Sequence, residues 1–168
     1  MKINSEQEML EFGESIAKQL VVGRVTTFQG DPQTSGFGGK KSRQDPPSNV
    51  RQDPSNAIVI ELVGDVGAGK TTFTRGFARG LGITSEVTSP SFTISKSYTL
   101  KDGRTLTHYD FYRLPDPGLM QDDLSEKLSD KNSIVIIEWG DSVSDLLPKD
   151  HIKIKIKYND DGSREVIL

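Results

Sequence analysis

The sequence predicts an α/β fold, a three-layer sandwich with a mostly parallel central sheet, antiparallel hairpin strands added to it, and helices on both faces. Three observations predict it. The runs Ala57-Ile58-Val59-Ile60-Glu61-Leu62-Val63 and Ser133-Ile134-Val135-Ile136-Ile137-Glu138 are short, β-branched and nearly all apolar, as in strands buried on both faces. Segments with apolar residues at steps of three and four lie between strands. Asp102-Gly103 and Asp161-Gly162 are turn dipeptides between β-prone runs.

In chain order, residues 5–20 read as a helix. Ser5 followed by Glu8 fits a capping box, Met9, Phe12, Ile16 and Leu20 form one apolar stripe, and Gly23 is the expected stop. Residues 29–56 carry two large apolar side chains, Phe37 and Val50, and a near-repeat in which Arg43-Gln44-Asp45-Pro46 returns as Arg51-Gln52-Asp53-Pro54. Such a stretch buries too little apolar surface to offset its ordering entropy, so a flexible surface insertion is expected, with a docking loop as the functional alternative. After the strand at 57–63, Phe73, Phe77, Ala78 and Leu81 recur at helical spacing, with Gly80 and Gly82 as stops. Residues 92–100 and 104–112 read as a hairpin. Residues 117–129 read as an acidic helix with Leu119, Met120, Leu124 and Leu128 inward. A strand at 133–138 and a short helix over 141–147 ending at Pro148 follow. Residues 151–158 alternate as a half-buried strand, and a last strand covers 164–167.

The 168 residues are expected to form a single domain. A net charge of −3 argues against charge-driven binding of DNA or RNA. The absence of cysteine excludes disulfides, thiolate zinc sites and cysteine nucleophiles. No apolar run approaches the ~20 residues a membrane helix needs, and no apolar signal segment follows the polar N-terminus, so a cytoplasmic protein without membrane contact is expected.

The sharpest chemical signal is Gly64-Asp65-Val66-Gly67-Ala68-Gly69-Lys70-Thr71, a match to G-x-x-x-x-G-K-[ST] between a buried-type strand and an amphipathic helix. Glycines let backbone amides wrap phosphates, and the helix N-terminus adds partial positive charge. Lys70 supplies a mobile cation and Thr71 a hydroxyl for Mg²⁺. By the position each holds in this motif, and as the family resemblance given below implies, Val66, Gly67, Ala68, Gly69, Lys70, Thr71 and the following Thr72 would contact the nucleotide. Two strand-end acids are candidates to complete the site. Glu138 closes the second apolar strand, in the manner of a Walker B acid, for Mg²⁺ or the attacking water. Asp110 lies in His108-Tyr109-Asp110-Phe111-Tyr112-Arg113, where an extended chain puts His108, Asp110 and Tyr112 on one face. His108 is expected to be structural or to orient a neighbour. Arg113 reads equally as a phosphate ligand or an ion-pair partner. Lys153, Lys155 and Lys157 share one strand face, read as a solvated, edge-protecting row rather than a nucleic-acid phosphate contact.

The cradle, Thr88-Ser89-Pro90-Ser91-Phe92-Thr93, His108-x-Asp110-x-Tyr112-Arg113 and Glu138-Trp139, in this order and at these separations, resemble the TsaE (YjeE) family of bacterial P-loop ATPases. The resemblance covers residues 3–23 and 57–168 and implies a P-loop NTPase-like sandwich. It implies an ATP hydrolase, dependent on Mg²⁺ and weak alone, that supports turnover of the TsaB–TsaD threonylcarbamoyl transferase complex in making tRNA threonylcarbamoyladenosine (t6A). Contact with tRNA would be indirect. By motif position, Thr71 and Glu138 would hold Mg²⁺ with Asp110 beside it, and Lys70, Asp110 and Glu138 would be catalytic. Residues 89–93 would form a switch-like loop, with Ser91 where the family commonly has Thr. Trp139 would lie at the nucleotide or the partner surface, and Glu6 and Arg164 would reach the nucleotide. The alternatives are a P-loop small-molecule kinase, for which an arginine-rich lid is missing, a GTP switch, for which Asn-Lys-x-Asp is missing, and a nucleotide-sensing module without useful hydrolysis.

Overall fold

The structure is a computed structural model and describes residues 1–25, 56–112, 114, 116, 118 and 120–168. The elements are β1 (Lys2–Ile3), α1 (Glu6–Val25), β2 (Ile58–Val63), α2 (Lys70–Gly80), β3 (Ser95–Thr99), β4 (Thr105–Asp110), α3 (Met120–Ser129), β5 (Ser133–Glu138), a 3₁₀ segment (Gly140–Leu146), β6 (Ile152–Tyr158) and β7 (Arg164–Ile167). They build one seven-stranded sheet in the order β1-β7-β6-β2-β5-β4-β3. The four inner strands β6, β2, β5 and β4 are parallel, and the β3–β4, β6–β7 and β1–β7 pairs are antiparallel.

Strand alternation sorts the apolar residues into two cores. Ile58, Ile60 and Leu62 of β2, with Ile134 and Ile136 of β5, face α1 and α2, where Met9, Phe12, Phe73 and Phe77 cover them. Val59, Val135 and Ile137 face the other way, onto Tyr109, Phe111, Leu124, Leu128 and Val143. These are the three expected layers. The same alternation puts Glu138 and Asp110 on the α2 side, in register with each other across β5 and β4.

Several boundaries differ from the sequence reading. Ser5 Oγ does accept from Glu8 N at 3.1 Å, but the Glu8 carboxylate turns to Asn4 N at 2.8 Å rather than to Ser5 N. The first helix passes through Gly23 to Val25, because one glycine weakens a helix by only about 1 kcal/mol relative to alanine. The hairpin strand begins at Ser95, since Thr93 N and Ile94 N both bond Pro90 O and fold 91–93 into a turn. The segment expected as a helix over 141–147 is 3₁₀ over Gly140–Leu146, and the acidic helix begins at Met120. Lys153, Lys155 and Lys157 are exposed, but β6 is paired on both sides, so they protect no edge. The insertion expected at 29–56 lies outside the described residues except for Asn56, as do Arg113 and Leu119. Among the described residues, no helix is long and apolar enough to cross a membrane.

Candidate nucleotide-binding site

The loop from Gly64 to Gly69 leaves the carboxyl end of β2 and enters α2. Gly67 and Gly69 take left-handed backbone angles, φ 82° and 110°, that a side chain would oppose. Gly69 is the N-cap of α2 and offers no side-chain cap, and the first turn holds no acid. The opening amides of a helix have no intrahelical partner, so this turn presents bare N–H donors and the positive end of the helix dipole, a site for an anion. On the far side of the loop, Met9 of α1 sits with Cε 3.4 Å from where a Gly69 Cβ would stand, so α1 braces the cradle.

A cleft of ≈ 250 Å³ opens over this turn. Val66, Gly67, Gly69, Lys70, Thr71 and Thr72 form one wall, and Asp110, Tyr112, Glu138 and Trp139 the other. Lys70 Nζ donates to the carbonyls of Gly64 (2.7 Å) and Asp65 (3.0 Å) and stands 4.5 Å from the centroid of the Trp139 ring. Burial pushes the Lys70 ammonium below the usual lysine range, while Glu138, Asp110 and Asp65 pull it back up. Thr71 Oγ1 donates to Glu138 Oε1 at 3.3 Å, and His108 Nε2 lies 2.9 Å from the same oxygen. Asp110 Oδ2 accepts from Ser89 Oγ at 3.0 Å and Ser91 Oγ at 2.5 Å, while Oδ1 accepts from Tyr112 N at 3.1 Å. Asp110 and Glu138 are both nearly buried, at 4% and 3% exposure, and so are dry enough to act strongly on a ligand's charge.

Two residues other than glycine have positive φ among those described, Ile94 at 66° and Trp139 at 59°. Ile94 closes the loop whose serines hold Asp110, and Trp139 follows Glu138. Each conformation costs on the order of 1–3 kcal/mol and persists only where surrounding contacts impose it.

The structure thus brings Val66, Gly67, Gly69, Lys70, Thr71, Thr72, Asp110 and Glu138 to one cleft. Ala68 is buried beneath the loop. Ser91 joins the site through Asp110. Glu6 and Arg164 lie outside the cleft lining. Glu6 Oε1 is 3.5 Å from Arg75 Nη1 of α2, and the Arg164 guanidinium packs 5.1 Å from the Tyr158 ring centroid while donating to Gly162 O at 3.0 Å. Sequence reasoning missed a second, larger cleft of ≈ 470 Å³ that shares Trp139 and is bordered by Gly64, Asp65, Asp141, Lys155 and Tyr158. It also missed the cluster around Glu61, one of the residues lining that cleft, where Glu61 Oε2 meets His151 Nε2 at 3.0 Å and Lys153 Nζ at 2.9 Å. The one acid inside the apolar run 57–63 was the available signal, since a carboxylate there needs partners.

The donor set also bears on which cation could sit here. Among the described residues, no three His, Cys, Asp or Glu side chains cluster as a metal cage. The Thr71 hydroxyl and the Glu138 carboxylate, with Asp110 alongside, suit a hard cation that keeps waters and takes ligand phosphate oxygens, which is how Mg²⁺ is usually held.

The family model for the threonylcarbamoyl adenosine biosynthesis protein TsaE matches residues 3–166. The tRNA threonylcarbamoyladenosine biosynthesis protein TsaE of Bacillus subtilis is 44% identical over 110 residues, covering 64% of this chain and 66% of that protein. The protein of the same name from Haemophilus influenzae is 39% identical over 106 residues, covering 63% and 66%. The chain therefore matches slightly less than two thirds of the length of these curated relatives. The crystal structure of Bacillus subtilis YdiB superposes on 99% of this chain and 80% of its own, with a TM-score of 0.57 and 29% identity. The sheet and helices form a P-loop NTPase-like sandwich, and with a family model matching residues 3–166 the chain belongs to the TsaE family.

Proposed function

We propose that this protein is a Mg²⁺-dependent ATP hydrolase whose turnover supports tRNA threonylcarbamoyladenosine modification in the cytoplasm, acting on the TsaB–TsaD threonylcarbamoyl transferase pair and touching tRNA only through it. The observation that carries the proposal is the uncapped, acid-free first turn of α2 facing the Thr71–Glu138 contact and Asp110 across one cleft. The names of the relatives support the pathway.

On this reading, the amides of 66–72 hold the phosphates. Lys70 Nζ exchanges the carbonyls of Gly64 and Asp65 for phosphate oxygens, which repays an ammonium that burial disfavours. Thr71 and Glu138 would hold Mg²⁺, which supplies charge neutralisation at the transferring phosphoryl group. Asp110 orients the attacking water, and Ser89 and Ser91 fix its carboxylate. Glu6 and Arg164 would contact the nucleoside end only on leaving the partners they hold in this structure, Arg75 and Tyr158. Trp139 lines the phosphate cleft, its ring tilted against that of Tyr112 with centroids 4.8 Å apart.

The test is hydrolysis of ATP and of GTP, measured alone and with TsaB and TsaD. Weak ATP turnover alone and a clear rise with both partners is the expected result. Equal rates with and without partners would refute the partner-dependent reading, and a preference for GTP would refute the ATP reading.

A further inference from the structure

We infer that His108 is a positioning residue for Glu138. With Glu138 read as a magnesium ligand, His108 Nε2–H donates to Oε1 and fixes how the carboxylate is presented to the cleft. His108 lies on β4 with no exposed surface, on the side facing α2. The preceding residue on that side, Leu106, is an ordinary core residue. A leucine at 108 would continue the pattern. The histidine instead leaves a buried Nδ1 without a hydrogen-bond partner among the described residues, an arrangement that costs stability. What it gains is the 2.9 Å contact with Glu138 Oε1.

The chemistry of the pair fixes the tautomer. An ionised carboxylate only accepts, so the hydrogen bond to Oε1 requires a proton on Nε2. The parallel register makes the contact rigid. Asp110 pairs with Glu138 and His108 with Ile136, so both partners are carried by hydrogen-bonded backbone. Oε1 also receives the Thr71 hydroxyl at 3.3 Å, a longer contact than the one to the imidazole. When that hydroxyl turns to a ligand, the imidazole still holds the carboxylate. No described side chain donates to Oε2, which leaves that oxygen to the cleft.

Trp139 is the sole tryptophan and lines the site, so its fluorescence reports nucleotide binding. The probe is ADP, titrated with Mg²⁺ and again in excess chelator. Wild type should bind ADP more tightly with Mg²⁺. His108→Leu should lose about 10–100-fold of that metal-dependent gain, while its affinity for metal-free ADP stays within about twofold because the cradle is intact. His108→Gln, whose amide N–H can reach Oε1, should recover part of the gain. A purely structural histidine would lower Tm and leave the ratio of the two affinities unchanged, and that result overturns the assignment. If wild type shows no metal dependence at all, the magnesium reading falls and the role of His108 falls with it. If His108→Leu does not fold, the imidazole ¹⁵N spectrum of wild type decides. The Nε2–H tautomer of His108 at pH 7.5 is required, and the Nδ1–H tautomer refutes the inference.

Discussion

Adding one methyl group at Gly76 should loosen the bracing of the cradle. α1 and α2 cross so closely that a Cβ at Gly76 would stand 2.1 Å from Leu10 O, 2.7 Å from Leu10 C and 2.8 Å from Leu10 Cα. All three atoms are backbone, so no rotamer change relieves the clash. The helices would have to part by roughly 1 Å to restore ordinary contact. Overpacking a close-packed core costs about 1–3 kcal/mol, and a rigid obstacle places Gly76→Ala at the upper end. Alanine's better helix propensity returns about 1 kcal/mol. The net loss is about 2 kcal/mol. For a chain of this size, at roughly 2–4 °C per kcal/mol, Tm should fall by about 4–8 °C. Differential scanning calorimetry of Gly76→Ala measures it. Because Met9 on the displaced helix packs against Gly69, ADP affinity should fall as well. A melting temperature at or above wild type would refute this account of the helix crossing, since the propensity gain would then be acting unopposed.

Replacing both Ser89 and Ser91 with alanine removes two hydroxyl donors from Asp110 Oδ2. Hydrogen bonds to a charged acceptor are each worth about 1.5–3 kcal/mol, so amide exchange across 89–94 should accelerate at least tenfold while exchange in β2 and β5 stays unchanged. The Asp161 carboxyl is held well below the usual range by hydrogen bonds from Lys2 and Ser163. A lowered folded-state value means that the stabilisation is complete above the ordinary Asp range and is lost as pH falls through the folded value. The Tm advantage of wild type over Asp161→Asn should therefore hold at pH 7 and shrink steadily below pH ~4, and added salt should reduce it because the pair is exposed. Burial and the hydrogen bond to Asp123 push the Tyr109 phenol well above its normal value, so it stays protonated and donates to Asp123 Oδ2 at 2.5 Å. Tyr109→Phe should cost about 1–3 kcal/mol in urea unfolding, and the loss should be present from pH 6 to 9.

Much of the site was legible because its chemistry dictates spacing. A backbone that wraps phosphate needs glycine, lysine and hydroxyl at fixed positions, and residues 64–71 supply them in that order. Asp110 and Glu138 were legible because each ends a strand, and strand alternation fixes the face it occupies. The parallel register that sets them side by side is a long-range fact, with β4 and β5 joined through α3. β1 was not legible. Two residues, Lys2 and Ile3, form a strand only because β7, some 160 positions later, pairs with them. Pairing with β7 also makes β6, with its lysine row, an interior strand. Residues 92–94 are β-prone by composition, yet Pro90 O captures two successive amides and Ile94 adopts a left-handed conformation that local propensity opposes. The partners of Glu61 were hidden for a similar reason. A carboxylate inside an apolar run announces a need, but His151 and Lys153 come from 90 residues further along the chain.

On the proposed reading, the cradle binds nucleotide and the strand-end acids drive its hydrolysis. Glu138→Gln tests it most directly, since the amide preserves shape and an oxygen for His108 and Thr71 while removing the charge. Trp139 fluorescence should show metal-free ATP bound with wild-type affinity, and phosphate release with TsaB and TsaD present should fall by about 10²-fold or more. Turnover near the wild-type rate in that variant would contradict the account.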